Sequence, residues 1–596
     1  MSTIDKKVRV GCASAFYGDS QLAARQLVEK GEIDYLVFDY LAEVTMAILA
    51  KAKSKDERLG YAMDFVTVAM KDVLADCAKK GIKVIANAGG VNVPGCISAL
   101  EQLCAAQNLD LKIAGVYGDN LADRTDEFTG EAMPENQSGE PLPERLASMN
   151  AYLGAKPIAD ALAAGADVVV TGRVVDSAVV IAPLMHEFQW DFTDYNRLSQ
   201  AALAGHVLEC GAQCTGGNFT DWQLVPDFSN MSYPIAEVSH DGSFVVQIPP
   251  QTGGLVSPGS VAEQIVYEIG DPANYLLPDV ACDWTSVQLE EVGKDRLKVS
   301  GAKGRAPGEQ YKVCATYVDG FKLTSSFFMG GLRCAEKART SINAWVKRTS
   351  DVFEQKGWGP YRDVSIEIIG AEDTYGPHSR THDVREVMGK YGLHHDNPEA
   401  LKFASHEFAY LATSATPGMS GFGAGRTRPA PLMRVHSTLV DKAKVPVKVQ
   451  LGKEIIVDKV YAEDAASDKS SGEKYSLPAA NYDGECVEVS LEQLAYARSG
   501  DKGDNANIGV IARKPEYLPY LKDQLSEAAV AEYFAHSIKG DVTRFDMPGF
   551  NAFNFFMTEA LGGGGTASLL VDTQGKALGQ MLLSMEVRIP KQLLPS

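Results

Sequence analysis

The sequence predicts an α/β protein whose N-terminal part is built on a largely parallel sheet. Two observations carry this prediction. Short apolar runs of four or five residues alternate with segments whose apolar residues recur every three or four positions. After residue 225 this rhythm gives way to neighbouring strand patterns joined by short turns, which indicates an α+β segment. One sequence does not distinguish an open, doubly wound sheet from a barrel.

Five apolar runs are the strands predicted for the N-terminal sheet. Helical patterns separate them, among them one over residues 21–30 and one whose apolar face repeats from Met63 to Cys77. Because a helix between two strands implies a crossover, neighbouring strands are expected to be parallel. The predicted strands are residues 8–12, 35–38, 83–87, 112–116 and 167–171.

Two strand pairs are predicted beyond residue 225. The first joins residues 286–292 to 296–300, and the second joins residues 312–318 to 321–327. Asp319-Gly320 between the last two runs is a strong signal for a hairpin turn. A helix is expected to follow, from about Leu332 to Gln355.

A small, polar and charged stretch near residues 462–474 has little to bury and is typical of a linker. We therefore predict four segments: a parallel α/β domain at 1–225, an α+β segment packed on it at 226–460, a linker at 461–481, and a small α+β domain at 482–596.

Charge limits the classes of partner. Asp and Glu number 77 and Lys and Arg number 57, which gives a formal net charge of −20. Such a field repels nucleic-acid backbones and anionic membranes, but a pocket can still bind a small anion. The ten Cys are mostly surrounded by apolar residues, as reduced core thiols are. With no targeting or membrane-spanning run recognised, we expect a cytoplasmic homo-oligomer with a small anionic substrate.

Candidate acid/base residues follow two of the predicted strands. Asp39 and Glu43 follow the second strand, and Arg173 and Asp176 follow the fifth. The carboxyl ends of parallel strands share one edge of the sheet, where ligands commonly bind. Asp39 and Asp176 are therefore candidate catalytic carboxylates, and Arg173 is a candidate substrate-binding residue. The alternatives are a helix cap by Asp39 and a structural Arg173–Asp176 pair.

A glycine-rich loop follows the third strand and leads into a helix. Asn87, Gly89 and Gly90 are candidate substrate-binding residues, because glycine lets backbone N–H groups approach an anion at a helix N-terminus. A tight turn without a ligand explains the same residues.

Polar residues cluster before an apolar strand in the last segment. Asp501 and Lys502 are candidate catalytic residues, and Asp504 and Asn505 are candidate substrate-binding residues. The cluster suits an anion nest, carboxylates that hold a divalent ion through water, or an ordinary charged turn. Because four polar side chains exceed what a turn needs, we expect this loop to pack against the large domain and close a composite site.

Arg426 and Arg428 form the best local basic patch of the acidic chain. They would suit a phosphate-bearing ligand such as a CoA thioester, or else an inter-domain ion pair. His206, Cys210 and Cys214 lie at intervals of four residues but lack a fourth ligand, so no zinc is expected. No redox-cofactor motif is visible.

The same segments carry a resemblance to a known family. The chain resembles the acyclic terpene utilisation (AtuA-like) family, and its last segment is similar to the family's ferredoxin-like domain. The stretches concerned are 35–43 (YLVFDYLAE), 87–90 (NAGG), 170–177 (VTGRVVDS), 208–213 (LECGAQ), 263–272 (EQIVYEIGDP) and, in the last segment, 498–505 (RSGDKGDN).

The resemblance implies a ferredoxin-like fold for residues 482–596 and a role in branched or isoprenoid acyl-CoA catabolism. It assigns no catalytic residue. We therefore hypothesise a lyase- or hydratase-like enzyme that hydrates, dehydrates or moves a proton next to a thioester. The rival hypothesis is a non-catalytic binding or assembly subunit that partners an acyl-CoA carboxylase or hydratase.

Overall fold

A computed structural model describes residues 6–128, 133–381, 383–421, 426–462 and 469–594 of the chain. Within these ranges the strands are β1 (Lys7–Cys12), β2 (Tyr35–Phe38), β3 (Lys83–Ala86), β4 (Ile113–Tyr117), β5 (Ser148–Ala151), β6 (Val168–Thr171), β7 (Ile235–Ser239), β8 (Phe244–Gln247), β9 (Tyr275–Leu276), β10 (Ala281–Asp283), β11 (Gln288–Gly293), β12 (Arg296–Ser300), β13 (Lys303–Arg305), β14 (Gln310–Gly330), β15 (Asp363–Ile369), β16 (Glu386–His395), β17 (Met419–Gly421), β18 (Ala430–Asp441), β19 (Val447–Leu451), β20 (Glu454–Lys459), β21 (Cys486–Ser490), β22 (Ala495–Lys502), β23 (Asn505–Ala512), β24 (Val542–Met547), β25 (Ala552–Met557) and β26 (Glu586–Pro590).

The α-helices of the same ranges are α1 (Ala23–Lys30), α2 (Glu43–Lys55), α3 (Lys71–Lys80), α4 (Val93–Gln107), α5 (Thr125–Phe128), α6 (Lys156–Ala163), α7 (Ala178–Phe188), α8 (Tyr195–Glu209), α9 (Pro258–Ile265), α10 (Cys334–Lys356), α11 (Pro398–Glu407), α12 (Leu411–Ser414), α13 (Leu518–Gln524), α14 (Glu527–Tyr533) and α15 (Leu578–Leu582). None of the helices in the described part of the chain is long and apolar enough to cross a membrane.

The largest sheet has eleven strands in the order β11-β12-β8-β7-β1-β2-β3-β6-β4-β19-β20. Its five central strands, β1, β2, β3, β6 and β4, run parallel. These are the five strands predicted from the sequence, and the predicted α/β class is confirmed. The sheet is open, with β11 and β20 at its edges, so the doubly wound alternative holds and the barrel does not.

Helices cover both faces of the parallel strands, which is why these strands are apolar throughout. Successive side chains of a strand point to opposite faces. In β2, Val37 packs with α6, α7 and α8, whereas Leu36 and Phe38 pack with α1, α3 and α4. Burial on both faces leaves the carboxyl ends of these strands as the edge available for a site.

The sequence prediction of a hairpin at Asp319-Gly320 is wrong. Residues 310–330 form one strand, β14, whose two halves do not pair with each other: the first half pairs with β18, and residues 321–330 pair with β16. Asp319 and Gly320 form a bulge where the register shifts, and Gly320 has a φ of +75°. The Asp319 side chain is held there by Arg362 and Arg434. The hairpin predicted between 286–292 and 296–300 is present as β11 and β12.

Residues beyond 225 contribute to two large sheets. Strands β7, β8, β11, β12, β19 and β20 extend the eleven-stranded sheet, while β14 to β18 belong to an antiparallel sheet of six strands that also takes in β5. The boundary predicted near residue 225 therefore does not coincide with a boundary of the large sheet. It marks where antiparallel strands start to be added to its parallel centre.

The last segment forms an antiparallel sheet in the order β22-β23-β25-β24, and one face of this sheet docks on the N-terminal part. Asn507 donates to the carbonyl oxygen of Val266 over 2.6 Å. Asn554 donates to the carbonyl oxygens of Ile269 and Gly270 over 3.0 and 2.6 Å. Both amides are fully buried, so their bonds fix the position of the sheet on the stretch 263–272.

We expect Asn554→Leu to lower the free energy of unfolding by about 1–3 kcal/mol, because it leaves buried carbonyl oxygens unpaired. Gln524→Leu is the matched control, since Gln524 also makes two bonds to backbone, with Arg588, but at the solvent-exposed surface. Urea unfolding measures both variants. Equal losses in the two variants would contradict the assigned role of Asn554.

Candidate functional site

A cavity of about 1940 Å³ lies where three parts of the chain meet. Its walls come from the carboxyl-end edge of the parallel strands, from β14 and β18 of the six-stranded sheet, and from the turn between β22 and β23. The sequence-predicted residues Asp39, Arg173, Asp176, Asp501, Lys502, Asp504 and Asn505 all line it.

Asp39 follows β2 and is buried, with 6% of its surface exposed. Its Oδ1 accepts a hydrogen bond from Nδ2 of Asn87 over 2.5 Å. Burial, followed by the nearby charge of Asp176, raises the pKa of Asp39 well above its ordinary value, although Arg173 opposes the shift. Asp39 does not cap a helix, because the N-cap position of α2 is Ala42.

Arg173 follows β6 and is 3% exposed. Its Nη1 lies 2.6 Å from Oδ1 of Asp176, and its guanidinium stacks on the ring of Tyr152 at 4.0 Å. The backbone N–H of Arg173 donates to Asp119 over 2.8 Å, which fixes the start of the loop. The Nε atom of Arg173 is buried and has no hydrogen-bond partner among the residues that the structure describes. The Arg173–Asp176 pair is therefore present, and it uses only the Nη1 end of the guanidinium.

Glu43, at the start of α2, is held in its charged form. It accepts a hydrogen bond from the Tyr152 hydroxyl over 2.7 Å and lies 3.2 Å from Nζ of Lys312. Burial alone raises the pKa of Glu43, but Lys312 and Arg173 outweigh burial and hold this pKa far below its usual range. The pKa values of Glu43 and Asp39 are therefore shifted in opposite directions although both residues line the same cavity.

The C-terminal wall carries a second group of charges. Nζ of Lys576 lies 2.9 Å from Glu268 and 3.3 Å from Asp501, and it also contacts the Tyr267 hydroxyl. Burial, followed by the charge of Glu268, raises the pKa of Asp501 to about 6, against the opposing effect of Lys576. This group joins the two parts of the chain across the cavity.

The turn that carries the C-terminal candidates is a two-residue hairpin. Lys502 ends β22, Asn505 begins β23, and Gly503-Asp504 joins them. The carboxylate of Asp504 accepts hydrogen bonds from the N–H groups of Gly563 and Leu561 over 2.6 and 3.3 Å. Asp504 thus organises the neighbouring loop, whereas the side chain of Lys502 makes no hydrogen bond or salt bridge with any described residue.

The loop after β3 does not contribute the anion cradle expected from its glycines. Asn87 is fully buried and positions Asp39, while its Oδ1 accepts from the N–H of Tyr40 over 2.7 Å. The N–H of Gly89 donates to the carbonyl oxygen of Thr171, and a Cβ on Gly89 would lie 2.6 Å from that oxygen. Gly90 has a φ of +53° and packs against Leu49. These glycines serve close packing, which is the alternative noted from the sequence.

The expected phosphate patch is also absent from the cavity wall. Arg426 and Arg428 are exposed, and neither lines the cavity. They follow residues 422–425, which lie outside the described residues, so the glycine-rich part of that loop is not assessed.

His206 does not present free ring nitrogens. Nδ1 lies 2.9 Å from Glu209, and Nε2 lies 3.1 Å from the carbonyl oxygen of Ile265. Glu209 lines the cavity, and burial raises its pKa while His206 opposes that shift. His206, considered above as a zinc ligand, thus holds Glu209 at the cavity. Glu209 was not among the site residues predicted from the sequence.

Sequence reasoning missed Tyr152, Glu209, Glu268, Lys312 and Lys576. A signal existed for Glu209 and Glu268, because both lie in stretches that carry the family resemblance, 208–213 and 263–272. Lys312 lies within a strand pattern and Lys576 within a polar segment, and neither has a local motif. Only the fold brings these lysines to the cavity.

Comparison with known proteins matches two family models. The model described as "Acyclic terpene utilisation family protein AtuA" matches residues 8–451, and the "AtuA ferredoxin-like domain" matches residues 489–588. No curated protein matches the chain, and no solved structure does. Because the first family model alone matches well over half of the sequence, the chain belongs to the acyclic terpene utilisation family, with that family's ferredoxin-like domain at its C-terminal end.

Proposed function

We propose that this protein is an acid–base enzyme that catalyses hydration, dehydration or proton transfer next to the thioester carbonyl of a branched acyl-CoA. Membership of the family points to a role in the use of acyclic terpenes. The more specific proposal rests on the buried carboxyl of Asp39, which lines the cavity together with the guanidinium of Arg173.

Asp39 has the property required of a general acid or base. A carboxyl whose pKa is raised well above its ordinary value exchanges its proton closer to neutral pH. Asn87 holds one oxygen of the carboxyl. The other oxygen, Oδ2, is the atom that we assign to the transferred proton, which it takes from or returns to the carbon next to the carbonyl.

Arg173 has the property required to stabilise the oxygen that becomes negative when that carbon loses its proton. The position of its guanidinium is fixed by the ion pair with Asp176 and by stacking on the Tyr152 ring. A donor that is already in position stabilises a developing enolate without reorganisation. The guanidinium of Arg173, which lines the cavity, is the donor group that we assign to this oxygen.

The size of the cavity suits an extended ligand. Ordinary small-molecule sites have volumes of roughly 300–1,000 Å³, and this cavity of about 1940 Å³ is larger. An acyl group attached to a long carrier would extend from the Asp39 wall towards the C-terminal wall. The proposal therefore assigns substrate contacts to both parts of the chain.

The test is exchange of the substrate's α-proton in D2O, measured by mass spectrometry across a panel of branched acyl-CoA and enoyl-CoA thioesters. We expect Asp39→Asn to reduce the exchange rate by about 10²- to 10⁴-fold, the usual contribution of a general base. The fold should persist, because the amide resembles the protonated carboxyl in shape.

Glu140→Gln is the matched control for this variant. Glu140 also lines the cavity but is exposed, and its side chain makes no hydrogen bond or ion pair with the described part of the chain. We expect wild-type exchange from this control. If the purified wild-type protein exchanges no proton of any thioester yet retains one of them in native mass spectrometry, the acid–base proposal fails and a binding subunit is the better description.

A second prediction concerns the pH dependence of stability. The pKa of Asp501 is raised to about 6 in the folded chain, so the folded state binds the proton more tightly than the unfolded state. The stability that this proton contributes is present below pH 4 and is lost as the pH rises towards 6. Asp501→Asn removes this dependence.

We therefore expect the variant to gain stability relative to the wild type, on the order of 2 kcal/mol, as the pH rises from 4 to 7. Chemical unfolding at pH 4, 5, 6 and 7 measures the difference. A difference that stays level over this range would contradict the burial and charge assigned to Asp501.

A further inference from the structure

The glycine-rich loop at residues 562–566 forms part of the cavity wall next to the turn between β22 and β23. Gly563, Gly564, Gly565 and Thr566 line the cavity. At Gly563 and Gly564, packing and backbone conformation explain why the residue is glycine. A Cβ on Gly563 would lie 2.9 Å from Nη1 of Arg434, and a Cβ on Gly564 would lie 2.3 Å from the carbonyl oxygen of Gly503. Both residues also have positive φ, +100° and +77°.

Gly565 is different, because packing does not require a glycine there. The nearest atoms to a Cβ on Gly565 would be 3.8 Å away, on Gln574 and Val44, and its φ lies outside the left-handed region. Its lack of a side chain leaves bare backbone on the cavity wall. Glycine is used in this way where the backbone comes close to a ligand.

Hydrogen-bond donors of this loop remain unused. The N–H groups of Gly564, Gly565 and Thr566 have no acceptor in the part of the chain that the structure describes. Successive free backbone N–H groups in a loop with left-handed residues are typical of an anion-binding nest. The wall therefore offers backbone donors that a bound group would satisfy.

The charged and polar side chains around this loop favour the binding of an anion. Lys502 is an exposed cation that lines the cavity, and its side chain makes no hydrogen bond or salt bridge within the described residues, although its charge acts on Glu268 and Glu209. Arg434 contacts the loop, and Asn505 lines the cavity with both of its buried amide atoms unpartnered in the described part of the chain. Three carboxylates of this wall are in use, since Asp504 bonds an N–H group of the loop, Asp319 pairs with Arg434 and Glu268 pairs with Lys576.

We propose that residues 563–566, together with Lys502, Asn505 and Arg434, form a subsite for a phosphate group of the ligand. The proposal rests on the proposed function in one respect: the phosphate would be that of the CoA carrier, while the acyl end lies at Asp39. A free phosphate compound offers the same chemistry. The subsite replaces Arg426 and Arg428 as the place where phosphate is recognised.

The test compares two glycine variants by isothermal titration calorimetry. Gly565→Ala adds a methyl group to the proposed subsite without a clash. Gly308→Ala is the matched control, because Gly308 is exposed, has no atom within 4 Å of its would-be Cβ and does not line the cavity. The probes are free CoA, inorganic pyrophosphate, and an acyl thioester of N-acetylcysteamine, which carries no phosphate.

We expect Gly565→Ala to raise the Kd of CoA and pyrophosphate at least about tenfold, the loss of one charge-assisted hydrogen bond. Gly308→Ala should bind both as the wild type does, and neither variant should alter the Kd of the phosphate-free thioester. Lys502→Gln should weaken both phosphate probes and reduce the effect of salt on their binding. Tighter binding of CoA than of pyrophosphate identifies the carrier as the source, and the reverse order identifies a free phosphate compound.

Two results would overturn the proposed subsite: no binding of CoA or pyrophosphate to the wild type at millimolar concentration, or the same Kd in the wild type and Gly565→Ala. Deuterium exchange of the phosphate-free thioester tests the chemistry at Asp39 separately. The subsite can therefore fail while the proposed acid–base function stands, and the reverse holds as well.

Discussion

The cavity depends on the buried docking of the C-terminal sheet on residues 263–272. Asn507 and Asn554 are fully buried, and their amides bond backbone carbonyls of that stretch. Backbone carbonyl groups that lose their water must find a partner, so these bonds specify one position of the sheet and disfavour others. This position brings the turn between β22 and β23 opposite the carboxyl ends of the parallel strands. Without it, each half of the site would be an open surface.

The charges that face the cavity divide into those that are paired and those that are not. Glu43 is held by Lys312, Glu268 by Lys576, and Asp319 by Arg362 and Arg434. These pairs lower the pKa of each carboxyl against the opposing effect of burial. Among the described residues, the direct side-chain partner of Asp39 is the neutral amide of Asn87, and burial raises its pKa although the charge of Arg173 opposes the shift. Asp39 is thus distinguished from Glu43, Glu268 and Asp319 by its surroundings and not by its type.

Much of the fold could be predicted from the sequence, because the parallel strands are buried on both faces and leave continuous apolar runs. The hairpin prediction at Asp319-Gly320 failed for a physical reason. A hairpin turn and a bulge both use a residue with positive φ, and they are distinguished only by which strands the flanking residues pair with. The candidate site was predictable at Asp39, Arg173 and Asp176, which follow strands. Lys312 and Lys576 could not be found, since distant parts of the chain bring them to the cavity.

The sequence also does not show what surrounds a glycine-rich loop, and this matters for the loop after β3 and the loop at 562–566. The sequence predicts an anion site at the loop after β3 and makes no prediction for the glycines at 562–566, because glycine serves close packing and ligand approach equally well. The surroundings decide between these uses: Gly89 gives its N–H to Thr171 and packs against it, whereas Gly565 has free space and its N–H lacks an acceptor in the described chain. A glycine that the fold does not need is therefore stronger evidence for a ligand than a glycine-rich motif.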